Sequence, residues 1–421
     1  MKAVRVTNPP APAPAVSRPA HWQFLMVWGP GLLVTLADTD VGNIVTAAQG
    51  GAQWGYRLLV LVLALIPLLY MVQELTVRLG IFTGMGLAEL ILTRYGKWWS
   101  RLSVVVLAVA TIGSLITEFT GVAAVGEIYG VSRTVSLSLA STALFSVVFL
   151  GSYRRIEKIA LVFGLFELAF FAVAWMAHPD VSVMARQSTD FLFGNHPFMF
   201  LASALIGSVF NPWMIFYQQS AVADKGLTPA QYASARWDTA SGAVLTQCIT
   251  AAVMIATAAT FDTQGSTRVI QSIGDVSDAL IPLLGGSGAH LVFSAGVLGA
   301  AMVAAIVSSL ALAWGISEAA GYVRAKHSPG SESPWFYAVY ALCIVGSAWL
   351  VGSQANLIGL DVATQVVNTC IFPVLVAVLL LLVQTVLPDR HRLRGWYLWV
   401  LVVLAALVSV IGLWGGLALF V

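Results

Sequence analysis

The chain has 421 residues, of which 59% are hydrophobic and only 10% charged, and its mean hydropathy is +0.87. Soluble domains carry about 25% charged residues, so this composition excludes a water-soluble fold and points to a polytopic all-α membrane protein. The formal charge of +2 comes with no basic patch, so nucleic acid is not an expected partner.

Residues 1–22 are rich in Pro, Ala and Val and contain Lys2, Arg5 and Arg18 without a continuous apolar core. That pattern predicts a disordered cytoplasmic tail rather than a cleaved signal. Residues 23–421 then form one transmembrane domain of eleven spans, near 24–47, 56–79, 103–125, 134–151, 158–177, 198–222, 239–260, 290–318, 336–353, 362–386 and 396–420. With the N-terminus inside, only Arg57, Arg133, Arg186 and Arg268 of the 21 Lys and Arg residues fall outside, which predicts a cytoplasmic N-terminus and an external C-terminus. Five spans reverse direction, so spans one to five (about 23–178) and six to ten (about 197–387) have opposite orientations, as an inverted repeat requires. Span eleven (about 395–421) is extra. Trp98, Trp99, Trp335, Trp396 and Tyr397 near span ends read as an interfacial belt.

Spans one and six are interrupted at their centres. The first reads Leu36-Ala37-Asp38-Thr39-Asp40-Val41-Gly42-Asn43, the second Gly207-Ser208-Val209-Phe210-Asn211-Pro212-Trp213. Gly42 and Pro212 each weaken the helical ladder, and Pro373 beside Gln365 and Asn368 marks span ten as a third candidate. A carboxylate at the bilayer centre costs about 2.5–3.5 kcal/mol on insertion scales, so Asp40 must face an ion, a partner or a cavity. Paired interruptions of this kind mark a transporter's binding site. Asp40 and Asn43, with the carbonyl of Ala37 a turn earlier, offer oxygen from span one; Asn211 and the carbonyl of Ser208 offer it from span six. Such an all-oxygen set suits Mg²⁺, Ca²⁺ or Mn²⁺.

Each reading has a plainer rival. Asp40 could cap a broken helix end, Asn211 could cap the second half-helix, and Gln365 or Asn368 could bond a neighbour. Asp38, two residues before Asp40, would point about 200° away on a regular helix, toward a vestibule or a structural bond. Asp238 reads as the N-terminal charge of span seven, and Glu74, Glu167 and Glu318 are further intramembrane acids. No histidine sits at a span centre, His290 being nearest. Cys248, Cys343 and Cys370 lie singly in apolar segments and read as buried small hydrophobes, not disulfides or zinc ligands.

The motifs Gly29-Pro30-Gly31, Asp40-Val41-Gly42-Asn43, Gly51-Ala52-Gln53-Trp54-Gly55-Tyr56-Arg57, Arg78-Leu79-Gly80-Ile81-Phe82-Thr83-Gly84 and Leu87-Ala88-Glu89-Leu90 resemble the start of an Nramp-type divalent-metal transporter. The resemblance implies two inverted five-helix repeats, a central metal site, and metal-ligand roles for Asp40, Asn43 and Gln365. Val41 stands where that family has proline. In span six Asn211-Pro212-Trp213 replaces Met-Pro-His, removing a soft ligand and a titratable group. Span three keeps Glu118 but has Leu115 where the family has a second acid, and span nine lacks its paired arginines. These departures are similar to the Nramp-related magnesium transporters. Glu118, Trp213 and Asn368 would then serve behind the metal ligands, Glu118 either as a relay or as a structural acceptor.

The expected function is transport of Mg²⁺, with Mn²⁺ also passing, the ion bound partly hydrated and uncoupled from protons. The alternatives are a proton-coupled Mn²⁺/Fe²⁺ symporter and a sodium-coupled amino-acid symporter. No cofactor is expected beyond the transported ion, no enzymatic motif appears, and the partners are the metal and the lipid bilayer. The expected setting is a bacterial inner membrane, with the chain as a monomer.

Overall fold

A computed structural model describes residues 29–150, 153–262, 274–275, 286–321, 334–353 and 358–417, and among them every regular element is helical. The tail expected over 1–22 lies outside the described residues, as do the side chains of His290 and Trp335. Among the described residues nine helices are long and apolar enough to cross a membrane. The other two spans are the fourth, which is shorter, and the first, which is divided.

Span one consists of α1 (Pro30–Asp38) and α2 (Val41–Trp54). Thr39 leaves the helix at φ −79°, ψ 47°, and Asp40 is extended at φ −68°, ψ 173°. The break is made by a cap rather than by the glycine expected to loosen it: Asp40 Oδ1 accepts the Asn43 N–H at 2.7 Å, and Gly42 lies inside α2. An N-cap of this kind stabilises a helix start by about 1 kcal/mol.

Spans two to five follow as α3 (Leu59–Thr83), a short α4 (Leu87–Tyr95), α5 (Lys97–Ile128), α6 (Arg133–Leu150), and the pair α7 (Tyr153–Leu165) and α8 (Ala169–Met176), joined by a tight turn over Phe166–Leu168. A surface helix, α9 (Val181–Gln187), leads to span six. Span six is divided again, into α10 (His196–Val209) and α11 (Pro212–Lys225). Pro212 opens α11, where its missing N–H costs nothing. The remaining spans are α12 (Tyr232–Asp262), α13 (Gly286–Ala319), α14 (Pro334–Ser353), α15 (Ile358–Val386) and α16 (Trp396–Leu417). Span ten is not discontinuous: α15 runs unbroken through Pro373.

Two close approaches set the breaks in place. A Cβ on Gly207 of α10 would fall 1.7 Å from the Gln365 carbonyl oxygen of α15, so only glycine lets these backbones meet. A Cβ on Gly121 of α5 would fall 2.6 Å from a methyl of Val41, the first residue after the first break. The start of α1 is held from another helix. Asp238 is the seventh residue of the helix that starts at Tyr232 rather than opening it, and accepts the Gly31 N–H at 2.8 Å and the Leu32 N–H at 3.3 Å. It is therefore a helix-terminus charge, as expected, but for α1 and not for its own helix.

Two other expectations need correction or refinement. The three cysteines are free thiols, but only Cys343 is buried; Cys248 is half-buried and Cys370 is exposed on the outer side of α15. A thiol is apolar enough that exposure on a membrane-spanning helix costs it little. Trp98, Trp99 and Trp396 are all exposed, as an interfacial belt requires.

Candidate metal site

The two breaks meet α15 and α12 in one buried polar chain. From α15, Asn368 Nδ2 donates to Gln365 Oε1 at 3.2 Å and to Asn211 Oδ1 at 2.6 Å. The Asn211 amide then donates to the Ser208 carbonyl at 3.0 Å. Asn43 Nδ2 donates to Ser208 Oγ at 3.2 Å, and Asn43 Oδ1 accepts from Thr250 Oγ1 of α12 at 2.7 Å. Every side chain in this chain is at most 1% exposed. A single alternation of amide and hydroxyl groups thus joins spans ten, six, one and seven.

The sequence-predicted residues Asp40, Asn43, Ala37, Ser208, Asn211 and Gln365 are all buried at these breaks, and Asn368 links two of them. Asn211 occupies the cap position of α11 but makes no side-chain cap bond, so its amide is turned to the network instead. Asp40 does cap its helix, and does so with one oxygen. An amide oxygen has two lone pairs, so Asn43, Asn211 and Gln365 each keep acceptor capacity beyond the bond described. The carbonyl ends of α1 and α10 point into the breaks, and the negative end of each half-helix favours a cation there. Among the described residues no three His, Cys, Asp or Glu side chains converge as a metal cage, so the donors that do meet are chiefly neutral oxygens.

Of the two roles expected for Asp38, a vestibule or a structural bond, the structure departs from the first. Asp38 is fully buried beside Asp40 and the Asn211 side chain, not turned toward a vestibule. The 100° rotation per residue that placed it on the far side holds only within a helix, and the helix ends at Asp38 itself. No hydrogen-bond geometry closes on either of its oxygens. Glu167 is one of the three intramembrane acids, with Glu74 and Glu318, to which the sequence assigns no role. It sits in the tight turn of span five, fully buried, facing Thr39 and the two aspartates. Glu118 accepts the Val41 N–H at 3.3 Å through one of its two oxygens. Trp213 is wholly buried at the second position of α11.

Two broken helices crossing beside a buried oxygen-rich site, inside a bundle of membrane-spanning helices, define a membrane transporter of ions or small solutes. The family described as "Natural resistance-associated macrophage protein-like" matches residues 31–418. The chain belongs to this family, Nramp. A divalent metal cation transporter MntH 1 of Pseudomonas aeruginosa is 32% identical over 331 residues, 74% of this chain and 73% of that protein. The divalent metal cation transporter MntH of Xanthomonas campestris is 28% identical over 374 residues, 85% and 83% of the two chains. The fold is shared with the manganese transporter of Eremococcus coleocola, with a TM-score of 0.76 at 18% identity, covering 96% of this chain and 88% of that one.

Proposed function

We propose that this protein carries divalent metal cations across a bacterial inner membrane, with Mg²⁺ as the preferred ion and Mn²⁺ also accepted. The ion sits partly hydrated between Asp40, Asn43, Asn211, Gln365 and the carbonyls of Ala37 and Ser208. Alternating access follows from two five-helix repeats, about 23–178 and 197–387, rocking about these breaks. The observation that carries the reading is the amide chain through Asn211: a neutral oxygen stands where a soft ligand would favour transition metals. Mg²⁺ dehydrates reluctantly and demands near-octahedral oxygens, which suits neutral donors reached through retained water.

Transport is driven by the ion's gradient and the membrane potential. Trp213 cannot titrate, and Glu118 is engaged by the Val41 N–H. Two charges crossing 100 mV gain about 4.6 kcal/mol, enough for roughly thousandfold accumulation without protons. The names of the relatives, divalent metal cation transporter and manganese transporter, favour Mn²⁺ as the ion, and the second reading is Mn²⁺ transport with proton coupling added. Proteoliposomes loaded with a pH dye separate the two. Mg²⁺ and Mn²⁺ uptake without lumenal acidification supports the first. Stoichiometric acidification, lost in Glu118→Gln, replaces it with the second.

A further inference from the structure

The ends of α3, α12 and α16 come together on the face where the basic loops gather, and a cavity of about 420 Å³ opens there. Among the described residues, five guanidinium groups line it, those of Arg78, Arg236, Arg390, Arg392 and Arg394, with a single acid, Asp389. Asp389 binds Arg392 at 2.6 Å and Arg394 at 3.5 Å, and Glu74 binds Arg78 at 2.8 Å. Two carboxylates therefore face five cations. The excess positive charge calls for an anion, and planar guanidinium groups suit the oxygens of a phosphate.

A second cavity, about 410 Å³, adjoins the first and shares Arg236 with it. Its other walls are Tyr70 of α3 and Ala233, Trp237 and Ala240 of α12. Residues 233, 236, 237 and 240 recur at the spacing of one helix face, so the groove is a stripe running about 10 Å down α12. The two alanines leave it open, and Trp237 is exposed at its edge on the lipid-facing side, as an interfacial anchor would be. Tyr70 hydroxyl accepts from Arg236 Nε at 2.9 Å, which fixes the guanidinium at the junction of the charged and apolar cavities.

We propose that these joined cavities form a binding site for one anionic phospholipid, its phosphate held by the arginines and an acyl chain laid along the Ala233–Ala240 stripe. A free phosphate would fill the first cavity and leave the second without a role; a zwitterionic lipid would fit the groove but leave the arginines' charge unmatched. Basic pockets between helices at a membrane surface bind anionic headgroups in this way. The headgroup would also touch the contacts that Arg78 makes. Arg78 donates to the His391 carbonyl at 2.8 Å, and the Glu74 that it holds also accepts from the Tyr232 hydroxyl. A lipid bound to Arg78 thus ties the end of α3 to the segment leading into α16.

The inference does not depend on which ion is carried, and its readout is lipid binding. Delipidated protein in detergent is titrated with phosphatidylglycerol, phosphatidylcholine or inorganic phosphate and followed by native mass spectrometry. One phosphatidylglycerol per chain is expected, at least tenfold tighter than phosphatidylcholine. Arg390→Gln with Arg394→Gln, which spares the Arg78–Glu74 pair, should weaken it at least tenfold. Ala240→Trp, which fills the groove, should weaken phosphatidylglycerol and leave inorganic phosphate unchanged. Size-exclusion profiles and Mn²⁺ binding equal to the parent show that both variants are folded. Equal binding of the two lipids, full retention by the double arginine variant, or phosphatidylglycerol binding untouched by Ala240→Trp would each overturn the proposal.

Discussion

Replacing Asn211 by methionine tests the selectivity argument most directly. The Asn211 side chain is fully buried and holds two bonds, donating to the Ser208 carbonyl at 3.0 Å and accepting from Asn368 at 2.6 Å. Methionine is of similar reach but makes neither bond. Asn368 keeps Gln365 as an acceptor, whereas the Ser208 carbonyl is left to the ion or to water. Two lost bonds at about 1 kcal/mol each give an expected stability loss of about 2 kcal/mol, which a bundle of this size tolerates. The thioether then adds a soft donor, so Cd²⁺ affinity should rise relative to Mg²⁺ by at least about tenfold, or 1.4 kcal/mol. Calorimetry on the monodisperse variant reads that ratio. Asn211→Ala is the control: it removes the same bonds without sulfur and should weaken both ions without changing their order. A Cd²⁺/Mg²⁺ ratio in Asn211→Met equal to the parent's, in folded protein, would take Asn211 out of the site.

Three further outcomes follow from the same geometry. Asp40→Ala removes the only charged ligand proposed and the cap of α2 together; uptake should vanish while the protein, destabilised by about 1 kcal/mol, still elutes as a single species. Asp38→Asn keeps the side chain's shape and exchanges a carboxyl oxygen beside the site for an amide nitrogen, so Mn²⁺ binding measured by calorimetry should weaken at least about tenfold; unchanged affinity would return Asp38 to a structural role. At the surface, the Ser182 hydroxyl and the N–H groups of Val183 and Ser182 hold the Asp180 carboxyl below its usual range. A depressed pKa adds stability above the unfolded value and loses it as pH falls through the folded one, so amide exchange at the start of α9, taken relative to the intrinsic rate at each pH, should stay flat from about pH 5 to 8 and rise only below about pH 4. In Asp180→Asn the acid-dependent rise should disappear.

Much of the fold was legible because the bilayer leaves few choices: apolar length gave the spans, and isolated polar residues gave the two breaks. Asp40, Asn43 and Asn211 stood out because nothing apolar explains them at a membrane's centre. What the sequence could not convey was the direction in which a side chain leaves a non-helical turn. Asp38 was placed by a helical rotation that stops one residue too early to apply, and the break it borders is fixed by Asp40's cap rather than by Gly42. Asp238 was read as serving its own helix, because a bond to a backbone 207 residues away leaves no trace in local pattern. Thr250, which completes the network, is one hydroxyl among several in span seven, and no spacing marks it. Glu167 did carry a signal, as a lone acid in an apolar run, but its partner surface on Thr39 appears only when spans one and five are packed together.

The packing also explains why the site is built mostly from amides. A broken helix exposes carbonyls at one half's end and N–H groups at the other half's start, so the groups that line a break must be able to meet both. Carboxylates satisfy only the second kind: Asp40 and Glu118 each accept an N–H of α2, at 2.7 and 3.3 Å. Asparagine and glutamine meet both, donating with nitrogen and accepting with oxygen. Asn211 does this by taking the Ser208 carbonyl on one side and Asn368 on the other. When a cation enters, the amides need only turn or share an oxygen, without leaving a charge stranded when the cation departs. A carrier must release what it binds, and a dication caged by several carboxylates in a dry site would be held too strongly to leave. In the proposed site the acids Asp38 and Asp40 flank the first break, and the amides of Asn43, Asn211 and Gln365 would give the ion neutral oxygens that can regroup.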